Sequence, residues 1–178
     1  PVEGEPPEPP AAATIPSSIA TDTANAASTV KPVAPEFQAA LPELKQKTTV
    51  PVLLPSALPT SVLAVEVYLS VRAEPDSYAV NLDLAPECYG ATACAFGGIT
   101  AQRNETLYTE EFTETVLLAT GITGHYKPIT CGASCSPPAI SWQYQDVLYR
   151  IDFEVADDSK GKAQLMAIAN SAIEAGPR

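Results

Sequence analysis

An α+β fold follows from a change of hydrophobic period along the chain. Segments from Val62 to Val155 alternate apolar and polar residues, and a helical stripe then runs from Ser159 to Ala175. A third observation bounds the fold, since the opening stretch is too rich in proline, alanine, serine and threonine to build either pattern. The expected architecture is a curved antiparallel sheet of about six to eight strands with a C-terminal amphipathic helix packed on one face. A Pro/Ala-rich disordered leader precedes it.

Residues 1–48 hold nine of the 18 prolines, one of the nine glycines and a single aromatic, Phe37. Such a segment cannot bury enough apolar surface to offset the entropy of ordering it. The expected division is an extended tether of polyproline character over residues 1–35 and one α+β domain over residues 36–178. Phe37 to Lys47 reads as a short helix begun afresh at Pro42, because proline is tolerated at a first helical position. Val50 to Pro59 is apolar and punctuated by prolines, which demotes it to an edge strand or an extended lead-in.

Val62 to Arg72 places Val65, Val67, Leu69 and Val71 on one face and Glu66, Tyr68, Ser70 and Arg72 on the other. After a turn at Ala73–Asp76, Tyr78, Val80, Leu82 and Leu84 alternate with polar or small residues, giving a hairpin with one buried face. The same logic predicts strands over 93–101, 107–112, 115–120, 122–129, 140–145 and 147–155. In the last, Val147, Tyr149, Ile151, Phe153 and Val155 face inward. Leu165, Ile168, Ala169, Ala172 and Ile173 then form one helical stripe, with Asp158 or Ser159 as N-cap and Gly176-Pro177 as the stop.

The four cysteines stand as two close pairs, Cys88/Cys94 and Cys131/Cys135, each enclosing Ala and Gly. Local disulfides on sheet loops are the preferred reading, with cross-pairings, a four-cysteine zinc site and free thiols as alternatives. Only the second pair has a spacing that zinc ribbons use, and neither is the Cys-x-x-Cys of a dithiol oxidoreductase. Disulfides place the protein outside the cytoplasm, in the periplasm, on the cell surface or secreted. Since no basic and apolar signal region precedes Pro1, the numbering is expected to begin at or after a processed site, a signal peptide having been removed.

The net charge of −11 divides into six acidic and three basic residues over 1–48, and fifteen acidic and seven basic over 49–178. Lysine and arginine are scattered singly, so nucleic acid and anionic lipid are poor partners. A cationic partner or a neutral glycan remains allowed, and the expected partner is an envelope or surface protein or a glycan. No apolar run approaches the length of a membrane span.

Two stretches resemble a family of uncharacterised bacterial extracytoplasmic domains of envelope and anti-sigma-like proteins, similar in fold to half of a lipoprotein-carrier sheet. One is Val50-Pro-Val-Leu-Leu-Pro-Ser-Ala-Leu-Pro59. The other runs from Gly121-Ile-Thr-Gly-His-Tyr126 through Ile140-Ser-Trp-Gln-Tyr144 and Val147-Leu-Tyr-Arg-Ile151 to Leu165-Met-Ala-Ile-Ala-Asn-Ser171. The resemblance implies the sheet-and-helix fold and the compartment, and it carries no catalytic residue.

Chemistry-bearing groups are sparse. His125 is the only histidine, and no Gly-x-Ser-x-Gly elbow accompanies it. Adjacent Glu110 and Glu111 would point to opposite faces of a strand, and Asp157-Asp158 suits the positive end of a helix. Asn104-Glu-Thr106 matches a glycosylation acceptor, which has no role in the bacterial source expected here. Tyr126, Trp142 and Tyr144 are the candidate binding surface, Trp142 and Tyr144 sharing a strand face that would serve if left uncovered. No catalytic residue, metal or cofactor is expected. The expected function is a non-enzymatic extracytoplasmic binding or sensing domain on a flexible tether. The alternative is a structural subunit of a surface layer, pilus or matrix that assembles through its Pro-rich leader.

Overall fold

Seven strands form one antiparallel sheet in the computed structural model of the chain, which describes residues 1, 31–59, 65–88, 91, 93–154 and 158–178. In chain order they are β1 (Tyr68–Glu74), β2 (Ser77–Asp83), β3 (Ala95–Arg103), β4 (Glu114–Leu117), β5 (Thr123–Lys127), β8 (Ala139–Tyr144) and β9 (Val147–Phe153). Two short strands, β6 (Thr130–Cys131) and β7 (Cys135–Ser136), make a separate hairpin inside the second cysteine loop. The sheet order is β1-β2-β3-β9-β8-β5-β4, so β9 returns to the middle beside β3. The helices are α1 (Leu41–Lys47), preceded by a 3₁₀ turn at Pro35–Ala40, and α2 (Asp158–Ala175). The tether before residue 31, the start of the strand expected from Val62, loop residues Tyr89 and Gly90, Val155, and the side chains of Asp157, Asp158 and Ser159 lie outside the described residues.

Strand alternation sorts the sheet into two unlike faces. Tyr78, Val80 and Leu82 of β2, Ile99 and Ala101 of β3, Tyr149, Ile151 and Phe153 of β9 and Ile140 and Trp142 of β8 are all buried. The pairing Val80↔Ile99↔Ile151↔Ile140 carries this apolar layer straight across the sheet. α2 closes it over β8 and β9 with the fully buried Leu165, Ile168, Ala169 and Ala172, the stripe read from the sequence. Gly176, at φ +73°, ends the helix where the sequence places the stop. The 3₁₀ turn and α1 pack on β1, burying Phe37, Ala40 and Leu44.

The proline-punctuated stretch is a lead-in and joins no strand ladder. Prolines at 51, 55 and 59 cannot donate, and the remaining backbone groups are met by other means. The Tyr78 hydroxyl accepts from Leu53 N–H at 3.0 Å and donates to Leu53 C=O at 3.1 Å, while Tyr149 donates to Pro51 C=O at 2.8 Å. Arg178 N–H donates to Val52 C=O at 3.1 Å, and Ala34 N–H to Pro55 C=O at 2.9 Å. Ser171 Oγ accepts from Ser56 N–H at 2.9 Å and from Ala57 N–H at 3.3 Å. The lead-in thus lies across the sheet and completes the covered face with buried Val50, Val52, Leu53, Leu54 and Leu58. Val33 and Ala34, assigned from the sequence to the tether, are buried with it.

Several details differ from the sequence reading. The strand expected over 107–112 is an irregular loop with a 3₁₀ turn at Thr109–Glu111. Both edges of β3 are already occupied, by β2 and β9, and the loop satisfies itself through Glu111 N–H to Tyr108 C=O and Phe112 N–H to Thr109 C=O. Leu84, expected inward, is exposed because the ladder shifts register after Leu82 and turns Asp83 into the protein. Val65 also lies outside the sheet and is exposed. The hairpin of β6 and β7 was not anticipated, its strands being too short to show alternation.

Candidate functional site

The face of the sheet opposite α2 is polar. Register sets one row across it, Arg72, Ala79, Thr100, Arg150, Ser141, His125 and Thr115, each residue the direct partner of the next. A second row holds Ser77, Gln102, Leu148 and Gln143. Arg150 therefore sits mid-sheet with Thr100 on one side and Ser141 on the other. Its Nε donates to Asp152 Oδ2 at 3.0 Å on the same strand, which fixes the plane of the guanidinium.

The loop after β3 folds back over this face. Asn104, at φ +55°, makes the turn and donates its N–H to Asp146 C=O at 2.7 Å. Arg103 pairs with the Asp146 carboxylate beside it and holds that carboxyl below the usual range through their hydrogen bond. At the far end Phe112 packs on His125, with ring centroids 5.7 Å apart, and Glu111 meets Lys127 at 3.5 Å. Thr113 N–H then donates to Tyr126 C=O at 3.0 Å and leads the chain into β4. Anchored at both ends, the loop encloses a cavity of about 370 Å³ against the sheet. Its floor is Ser77, Thr100, Gln102, Ser141 and Arg150, and its lid Glu105, Leu107, Tyr108, Glu111 and Phe112. Tyr108 is 55% exposed and stands at the mouth.

A second depression of about 230 Å³ adjoins it, and Arg150 lines both. Its other wall is the disulfide hairpin, through Ser134, Cys135, Ser136 and Pro137. The pairings are Cys88–Cys94 and Cys131–Cys135, with Cα atoms 5.8 and 4.0 Å apart. Local pairing is thus the arrangement found, and it removes the cross-pairings and the four-cysteine zinc site. Cys131 and Cys135 are exposed and directly opposed in the hairpin, whereas Cys88 is buried. Among the described residues no group of three or more His, Cys, Asp or Glu is placed to hold a metal ion.

The aromatic residues singled out from the sequence are placed differently. Trp142 is fully buried beneath the lead-in and α2, stacked on Tyr149, and its Nε1 has no hydrogen-bond partner among the described residues. Tyr126 is buried as well, opposite Ile140. The condition for a Trp142–Tyr144 surface, an uncovered face, is not met. Tyr144 alone reaches a surface depression, one of about 270 Å³ shared with Leu53, Thr120, Ile122, Ile173 and Pro177. His125 lies on the polar face with its ring on Phe112, and Ser141 is its direct partner across β8 and β5. Glu111 lies in the lid with its carboxylate toward Lys127, while the neighbouring Glu110 does not line the cavity.

Arg150, Gln102 and Ser141 were not singled out by sequence reasoning. The alternation of β9 does place Arg150 opposite Tyr149 and Ile151, but outward residues of a one-sided sheet ordinarily face solvent. Their convergence depends on the loop folding over them, which has no periodic signal. Among the described residues no helix is long and apolar enough to cross a membrane. Comparison of the chain with protein-family models, curated proteins and solved structures finds no match, so the site rests on its own geometry.

Proposed function

We propose that the chain is a non-enzymatic extracytoplasmic binding or sensing domain whose ligand site is the cavity between the polar sheet face and the loop after β3. The observation that carries this reading is the position of Arg150, flanked by Thr100 and Ser141 on the floor of a cavity of about 370 Å³. A concave site with a few convergent polar groups and apolar walls, built on rigid strands, is the arrangement that small-molecule sites share. Two disulfides support an oxidising compartment, as does the resemblance to extracytoplasmic envelope domains. The test is a set of ¹⁵N–¹H correlation spectra of the full chain with a library of small polar compounds. Shifts clustered at Thr100, Gln102, Tyr108 and Arg150 support the site, and shifts confined to the Tyr144 depression, or none, reject it.

A structural-subunit role is favoured by one observation. Leu117 is 73% exposed on β4, an open edge strand of the sheet, and such edges invite pairing with another chain. Light scattering at high concentration separates the readings, because a monomer contradicts self-assembly through that edge.

A further inference from the structure

Resting on the binding reading above, we infer that the ligand of the Arg150 cavity is a neutral saccharide of mono- or disaccharide size, held by planar polar groups on the floor and aromatic rings in the lid.

Size is the first constraint. A cavity of about 370 Å³ lies near the lower end of the ~300–1,000 Å³ range of small-molecule sites. It admits a small ligand and is too small for a folded peptide.

Hydrogen-bonding chemistry is the second. A sugar hydroxyl both donates and accepts, so it is matched by a lining that offers both functions close together. Ser77, Thr100 and Ser141 contribute hydroxyls, Gln102 an amide and Arg150 its Nη donors, while Glu105 and Glu111 in the lid contribute acceptors. Arg150 shares only Nε with Asp152, and its Nη groups have no other partner among the described residues. Amide, guanidinium and carboxylate are planar forks, a shape that bridges two vicinal hydroxyls.

The third is the apolar part of the lining. Leu107, Tyr108 and Phe112 of the lid face this floor, which itself holds one apolar residue, Leu148. A pyranose has the same two-sided character, with hydroxyls around its rim and C–H groups on its faces, which aromatic rings cover well. A wholly apolar ligand would leave Gln102, Ser141 and Arg150 desolvated without partners.

Charge separates neutral from anionic ligands. Arg150 is balanced by Asp152, and Glu111 by Lys127, leaving Glu105 as the uncompensated charge in the lining of a chain with net charge −11. An anion meets Glu105 and this net charge, whereas a neutral polyhydroxyl ligand meets neither obstacle. A small organic cation is the competing class, which the non-saccharide arm of the test reads.

The test is titration of the ¹⁵N-labelled full chain with cellobiose, maltose and chitobiose, with glucuronate as the charged control. At least one neutral disaccharide is expected to shift the Thr100, Gln102, Leu107, Tyr108 and Arg150 amides at millimolar concentration, and glucuronate to bind more weakly. Gln102 and Tyr108 are exposed, so Gln102→Ala and Tyr108→Ala should keep the native spectrum while each weakens binding about tenfold, the scale of one aromatic or polar contact. Equal or tighter binding of glucuronate, or unchanged affinity in both variants, overturns the saccharide assignment. If non-saccharide polar compounds shift these amides and no disaccharide does, the ligand class is wrong and the binding site stands. If neither class shifts them, both readings fall.

Discussion

Tyr149 of β9 stacks on Trp142 of β8 with ring centroids 5.5 Å apart and planes 11° from parallel, while its hydroxyl donates to the carbonyl of Pro51. One side chain therefore joins the sheet's aromatic layer to the lead-in that covers it. Tyr78 does the same from β2, holding both backbone groups of Leu53. These hydroxyls explain how a proline-rich segment with no ladder of its own becomes part of the core.

Tyr78→Phe should cost about 2 kcal/mol, because it strands a buried N–H and C=O of Leu53. Tyr149→Phe should cost less, about 1 kcal/mol, since only the half-buried Pro51 carbonyl loses its partner. Urea denaturation of the two variants measures both. Burial holds both phenols well above their ordinary 10.0, so above that pH the unfolded chain gives up protons that the folded chain keeps. This contribution is fully present below about pH 10 and is lost as pH rises beyond it. Tyr78→Phe should flatten that alkaline limb.

The two disulfides should differ in reactivity. With limiting dithiothreitol followed by alkylation, mass spectrometry should find Cys131 and Cys135 labelled before Cys88 and Cys94, because both members of the first pair are exposed and Cys88 is buried. Replacing Cys131 and Cys135 by serine should cost no more than about 2 kcal/mol, as expected for closing so short a loop. Simultaneous labelling of both pairs would contradict the burial of Cys88.

On α2, Ile168→Asp places a carboxylate in the apolar layer and should cost several kcal/mol, enough to unfold or nearly unfold a domain of ~5–15 kcal/mol stability. Ala167→Asp, one residue away and exposed, is the control and should shift the thermal midpoint little. Lys162 is a poorer control than its surface position suggests, because it pairs with Glu114 of β4 at 2.6 Å.

Glycine substitutions separate close approach from open turn. A Cβ on Gly97 would lie 2.4 Å from the Asp152 carbonyl oxygen and 2.6 Å from Phe153 Cα, both backbone atoms of the neighbouring strand, whereas one on Gly132 meets nothing within 4 Å. Gly97→Ala should therefore destabilise by at least about 1–3 kcal/mol. Gly132→Ala should be near neutral in the same thermal melt.

The fold was largely legible because periodic burial leaves a periodic trace. The inward residues of β2 and β9 from Tyr78 to Leu82 and Val147 to Phe153, and the stripe of Leu165, Ile168, Ala169 and Ala172, stand in the structure as their spacing predicts. Ile168-Ala-Asn-Ser171 holds more than packing, since Asn170 accepts from Ala119 N–H at 2.7 Å and Ser171 from the lead-in. The candidate site was not legible in the same way. Trp142 drew attention as a large aromatic, but size favours the core. The Arg150 cavity depends on cross-strand register and on a non-repetitive loop, and neither is encoded in a local pattern.

Trp142 is the only tryptophan, so its fluorescence reports which face of the sheet is core. Quenching by iodide and acrylamide tests most directly the central claim that the Trp142 face is covered and the Arg150 face open. The expected result is short-wavelength emission, little quenched in the native protein, unchanged when the cavity is filled and fully quenched after denaturation. Efficient quenching by iodide in the native state would put Trp142 at the surface and contradict the assignment of the two faces.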